Sequence, residues 1–143
     1  MQTPATIIED FTTLTRKMRT VFDAMVREKG LTLARARILR KLQTAGAGAT
    51  QRALAEDLEI EGPTLVRLLD NLEQLGFLER IPVEGDRRAK QIILTTQGQQ
   101  QAEEVEAVAG VFRETIFAGI DKAEMDIARK VVAQMHKNLG AQE

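Results

Sequence analysis

At 143 residues with 43% hydrophobic side chains, the chain has material for one packed domain, or one domain plus helices that need a partner, and is no disordered tail. Its 20 basic and 21 acidic residues leave a net charge of −1, so any affinity for nucleic acid has to come from local clusters. Cysteine, serine, tryptophan and tyrosine are absent and His136 is the lone histidine, which excludes disulfides, thiolate metal sites and Ser-His or Cys-His nucleophile pairs and argues against a histidine-rich metal cage.

From the N-terminus, Ile7, Ile8, Phe11, Leu14, Met18, Val21, Phe22, Met25 and Val26 recur at three- and four-residue steps. That spacing predicts one face of a long amphipathic helix, ended by Gly30. Charge alternates with hydrophobicity here and the apolar runs are short, so neither a membrane span nor a secretory segment is expected and the chain is read as cytoplasmic. "LTLARARILRKLQTAGAG" predicts a second helix, capped by Thr32, with Leu33, Ala36, Leu39 and Leu42 on one stripe and the glycines as its end. Thr50 caps a short helix holding Leu54 and Leu58, and Gly62-Pro63 restarts the chain with proline at a first helical position.

The helix Pro63 to Leu75 is expected to turn Leu65, Leu68, Leu69, Leu72 and Leu75 toward the core. At 100° per residue its other side presents Pro63, Arg67, Asp70 and Gln74, flanked by Thr64 and Asn71. Gly76 stops it. "FLERIPV" and "QIILT" then read as two strands of a hairpin whose charged turn is "EGDRRAK". Thr95 or Thr96 caps a further helix to about residue 118, and another starts at Asp121. Ala128, Val131, Val132, Met135 and Leu139 form its stripe. Few residues remain to cover that stripe or the one on the first helix, which points to a dimer; the alternative is that both terminal helices fold back on their own chain.

Helix, turn, helix and charged hairpin is the order of a winged helix-turn-helix, in which one helix enters the DNA major groove and the hairpin reaches a minor groove. The fold class is therefore mainly α with a small β-hairpin wing, with residues 32–98 as the DNA-binding region and residues 1–31 and 99–143 as dimerisation helices. Arginine suits the wing because its guanidinium is always charged and weakly hydrated; the bland alternative is a solvated hairpin tip. Residues 32–98 carry ten basic and nine acidic side chains, whereas residues 99–143 carry five and eight, an asymmetry of the right sign but small. Thr50, Gln51 and Arg52 open the helix before the reading helix, where backbone N–H groups and Arg52 can hold a phosphate. For Thr50 a plain helix cap is the other role, and the two are compatible.

"GPTLVRLLDNLEQLGFLER" followed by "DRRAKQIILTTQG" resembles the multiple antibiotic resistance regulator family, MarR, and within it the SlyA-like members, over essentially the whole chain. The resemblance implies a homodimeric winged-helix transcription factor, usually a repressor released from a pseudo-palindromic operator by a small ligand. It places Pro63, Thr64 and Arg67 at the major groove, with Asn71 nearby, and Arg87 at the wing tip in the minor groove beside Arg88 and Lys90. It makes Asp86 a brace that pairs with Arg88, and no second acid or nucleophile accompanies Asp86 to make it catalytic. Neither a metal nor a cofactor is implied, and enzyme chemistry is not expected.

Peroxide-sensing members need a cysteine and zinc-sensing members several histidines, so the resemblance leaves a small organic ligand, an aromatic acid or a thioester. Arg16, Arg19, Arg37 and Arg40 are the candidates to hold its anionic group; Arg37 and Arg40 share a helix face while Arg35 points elsewhere. Ordinary surface arginines, or salt bridges to a partner chain, are for each a reading of at least equal weight. Two rival functions stay open: an activator that displaces other DNA-bound proteins, and a winged-helix protein-interaction module that never touches DNA.

Overall fold

The computed structural model describes residues 4–46 and 49–140, and the side chains of all these except residues 4–5 and 86–89. Its elements are α1 (Pro4–Arg27), α2 (Leu33–Ala45), β1 (Ala49–Thr50), α3 (Gln51–Leu58), α4 (Gly62–Gln74), β2 (Leu78–Val83), β3 (Asp86–Leu94), α5 (Thr96–Ile116) and α6 (Lys122–Gly140). The chain divides into two compact units, residues 1–110 and 111–143. None of the described helices is long and apolar enough to cross a membrane.

Local chemistry sets the helix ends. Thr32 accepts from the Arg35 N–H at 3.3 Å, Thr50 from Ala53 at 3.1 Å and Thr95 from Gly98 at 3.0 Å, each hydroxyl satisfying an N–H that the first turn leaves without a carbonyl. Asp121 accepts from the Glu124 N–H at 2.8 Å while its own N–H donates to Glu124 Oε1 at 3.4 Å, a reciprocal pair that opens α6. At the other ends, Gly30 closes α1 with φ +77° and Gly76 closes α4 with φ +82°. In both, the following N–H reaches back five residues: Leu31 to the Val26 carbonyl and Phe77 to the Leu72 carbonyl. Glu59 makes the same closure after α3 with φ 53°, without glycine's freedom.

The core of the first unit gathers Ile38 and Leu42 from α2, Leu54 and Leu58 from α3, Leu65, Leu69 and Leu72 from α4, Leu78 from β2 and Ile92 from β3. Truncating any fully buried leucine among them to alanine costs about 2–5 kcal/mol. The sheet is antiparallel in the order β1-β3-β2. In α1 only the C-terminal half is covered, by packing that buries Phe22 and Val26, while Ile7, Ile8, Phe11 and Leu14 stay exposed. In the second unit α6 buries none of its side chains, and Ile127, Val131, Val132, Met135 and Leu139 are all exposed.

Four details differ from the sequence reading. Leu75 is 47% exposed rather than in the core, because the chain reverses at Gly76 and the half-buried Phe77 takes the inward place. Ile38 joins the buried stripe of α2, which is wider than the spacing of Leu33, Ala36, Leu39 and Leu42 suggested. Pro63 is the second helical residue, after Gly62. The hairpin turn is Glu84-Gly85, with Gly85 at φ +86°, so Asp86 to Lys90 belong to a strand rather than to the turn. That strand is irregular: Val83 faces Asp86 but Pro82 faces Lys90, leaving residues 87–89 without opposite numbers at a place where proline has no N–H to give.

Candidate nucleic-acid interface

α3 and α4 form the helix-turn-helix, and burial of Leu65, Leu69 and Leu72 decides which face of α4 looks out. Pro63, Arg67, Asp70 and Gln74 are exposed, and Thr64 and Asn71 are half-buried on the flanks. This is the distribution that helical spacing dictates once the leucines are fixed inward. The Asn71 Oδ1 is buried and has no hydrogen-bond partner among the described residues, so that atom is turned away from the exposed face. Arg67 forms neither a hydrogen bond nor an ion pair among the described residues, and it is exposed.

Three other cations of this unit are engaged by carboxylates. Arg52 pairs with Glu56 at 3.4 Å, Lys41 with Asp57 at 3.8 Å and Arg40 with Glu106 at 3.3 Å. Arg52 thus meets a carboxylate one turn along its own helix, an exposed pair that a phosphate can displace at little expense, since such pairs are worth under about 1 kcal/mol. Thr50 has its hydroxyl on the Ala53 N–H, so it acts as a cap, and Gln51 beside it is half-buried.

One residue that the sequence reading did not single out ties the hairpin to α4. Arg80, on β2, places Nη2 against Asp70 Oδ1 and 3.2 Å from Glu73 Oε1, and its main-chain N–H donates to Glu73 Oε2 at 3.3 Å. Its side chain is only 16% exposed. The hydrogen bond from Arg80 is the main reason the Glu73 carboxyl sits below its ordinary range, against an opposing effect of burial. Arg80 is held charged even more firmly than usual by the hydrogen bonds to Glu73 and then Asp70. The available signal was two carboxylates three residues apart on α4, which needed a cation from elsewhere; helical periodicity alone could not say which.

Arg87, Arg88 and the proposed brace Asp86 lie outside the described side chains, although their backbone forms the start of β3. Lys90 is exposed on the same strand.

A MarR family model matches residues 29–89, the span from the end of α1 into β3. The transcriptional regulator PA3341 is 34% identical, over 94% of this chain and 98% of its own, with a TM-score of 0.78. The chain belongs to the MarR family. Its fold is also that of S. aureus MepR, solved as a DNA complex (24% identity, 96% and 99% of the two chains, TM-score 0.80). A cysteine-to-serine mutant of E. coli MarR complexed with operator DNA is similar as well (20% identity, 89% and 91%, TM-score 0.78). The MarR family is one of transcriptional regulators, and the expected winged helix with a small antiparallel sheet is the observed architecture.

Of the arginines considered as ligand contacts in this MarR-family chain, Arg37 and Arg40 come together in one groove of about 290 Å³ between α2, the end of α3 and α5. Arg37 Nη2 donates to the Leu58 carbonyl at 3.3 Å, a carbonyl at the negative end of α3, and Arg40 meets Glu106 of α5. Arg16 and Arg19 instead share a shallow surface with Phe11 and Thr12 on α1 and do not reach that groove. Arg35 is half-buried, with its Nε lacking a partner among the described residues. His136 is exposed on α6.

Proposed function

We propose that the protein is a sequence-specific DNA-binding regulator that works as a homodimeric repressor. The observation that carries this reading is Arg67: an exposed guanidinium without a partner among the described residues, on the outward face of a helix whose two carboxylates, Asp70 and Glu73, are both engaged by Arg80 of the wing strand. Such a group is free to make a bidentate contact to a guanine edge or to meet a phosphate. Pro63 and Thr64 open the same face, and Arg87, Arg88 and Lys90 supply the wing with positive charge for a narrow groove, with Asp86 bracing the turn. Thr50, Gln51 and Arg52 supply backbone and side-chain donors to a phosphate. The likeness to MepR and MarR, each solved with DNA, supports the same use of the fold.

A second copy of the chain covers the exposed stripes of α1 and α6, since apolar surface of that extent favours association. Release follows binding of a small anionic ligand, an aromatic acid or thioester, in the groove of Arg37 and Arg40, where its carboxylate competes with Glu106 for Arg40. Footprinting on the promoter beside the protein's own gene, with and without a panel of aromatic acids and their thioesters, tests this function. A protected two-fold site that opens with one of the acids is the expected result. Absence of any protected site rejects it.

A further inference from the structure

We propose that Arg80 is a positioning residue for DNA reading: its guanidinium, which grips Glu73 with Nε and Nη2 and meets Asp70 through the same Nη2, fixes the wing strand against the outward face of α4. The inference rests on the DNA-binding reading above. Exposed ion pairs ordinarily contribute little, because two long side chains lose freedom to form them. Arg80 is a different case, since it is 16% exposed while Asp70 and Glu73 are 52% and 42% exposed. It also engages Glu73 with its main-chain N–H as well as its side chain, so the strand itself is tied to the helix.

The two elements joined this way, α4 and β2, are those that a helix in one groove and a hairpin in the next must hold at a fixed separation. Asp70 lies one turn from Arg67 on the same face, where an unpaired carboxylate would repel phosphates. Arg80 therefore both offsets part of that repulsion, one positive charge against two negative, and sets the separation. The planar guanidinium does the second by laying Nε (3.5 Å) and Nη2 (3.2 Å) along the two oxygens of Glu73 while Nη2 also meets Asp70, a two-point grip that lysine, a point charge on a flexible stem, does not reproduce. The buried leucines of α4 and Leu78 of β2 carry the packing independently of this ion pair.

The test uses the full chain, a promoter duplex from beside its gene, thermal melts, affinity measurements and hydroxyl-radical footprints. Arg80→Lys, which keeps the charge, should melt close to the wild type. It should bind the duplex at least tenfold more weakly and lose the protections made by the wing while keeping those made by α4. Binding within twofold of wild type, with the full footprint, overturns the proposal. Should Arg80→Lys fail to fold, the Asp70→Asn/Glu73→Gln double variant decides: positioning predicts weaker binding despite two fewer negative charges, and tighter binding overturns it. Failure of the wild-type protein to bind any duplex removes the DNA-binding reading itself, and this inference with it.

Discussion

The Thr95 hydroxyl donates to the Gly76 carbonyl at 2.5 Å, which joins the corner where α4 ends to the corner where α5 begins. The same oxygen accepts from the Gly98 N–H, and the Thr95 N–H donates to the Phe77 carbonyl at 3.1 Å. A Cβ at Gly98 would stand 1.8 Å from that carbonyl oxygen, so the two corners meet main chain to main chain. α4 is thereby linked to α5, which also carries Glu106 of the proposed ligand groove.

Gly98→Ala should consequently destabilise the fold by about 3 kcal/mol or more, although glycine to alanine inside a helix ordinarily stabilises by about 0.5–1 kcal/mol. Urea denaturation of the two proteins measures the difference. An increase in stability would mean that the α4 and α5 corners are not in contact.

Glu59 offers a change of opposite sign. A side chain at φ 53° is strained by about 1–2 kcal/mol, and glycine relieves that strain while adding freedom to the unfolded chain worth about 0.5–1 kcal/mol. Glu59→Gly should therefore raise stability by about 0.5 kcal/mol, read as a higher urea midpoint with an unchanged slope. A lower midpoint would rule out the left-handed closure of α3.

The Arg80 clamp has a pH signature. Because the folded-state value of Glu73 is depressed, its contribution is complete above the ordinary glutamate value of 4.5 and is lost as pH falls through the lower folded value. Glu73→Gln should be less stable than wild type near neutrality by about 0.5 kcal/mol, a figure already discounted for exposure. The gap between the two proteins should close in acid. A gap that is constant down to pH 2, or that widens, would show that Glu73 is not bonded to Arg80 in its charged form.

How far these features were legible in the sequence follows from their range. Caps and stops involve residues within five positions of one another, and Thr32, Thr50, Gly30, Gly76 and Asp121 all fall where local chemistry puts them. The inward face of α4 followed from leucine spacing, except for Leu75, whose place depends on how the chain turns after the helix. Contacts set by folding at a distance were not legible. β1 is two residues long and exists only because β3 runs beside it. Arg80 was one more charge in a strand until the hairpin laid it across Asp70 and Glu73. The Arg37 and Arg40 pair was visible as a shared helix face, but its groove needs Leu58 and Glu106 from two other helices.

The outward face of α4 is proposed to read DNA through Arg67, and the measurement that tests this is the affinity of wild type and Arg67→Ala for the promoter site and for single-base variants of it, at several salt concentrations. The expected result is tight wild-type binding that weakens by about 1–3 kcal/mol in Arg67→Ala, with discrimination lost at one base position in each half-site. Binding by Arg67→Ala indistinguishable from wild type across all the sites would contradict it.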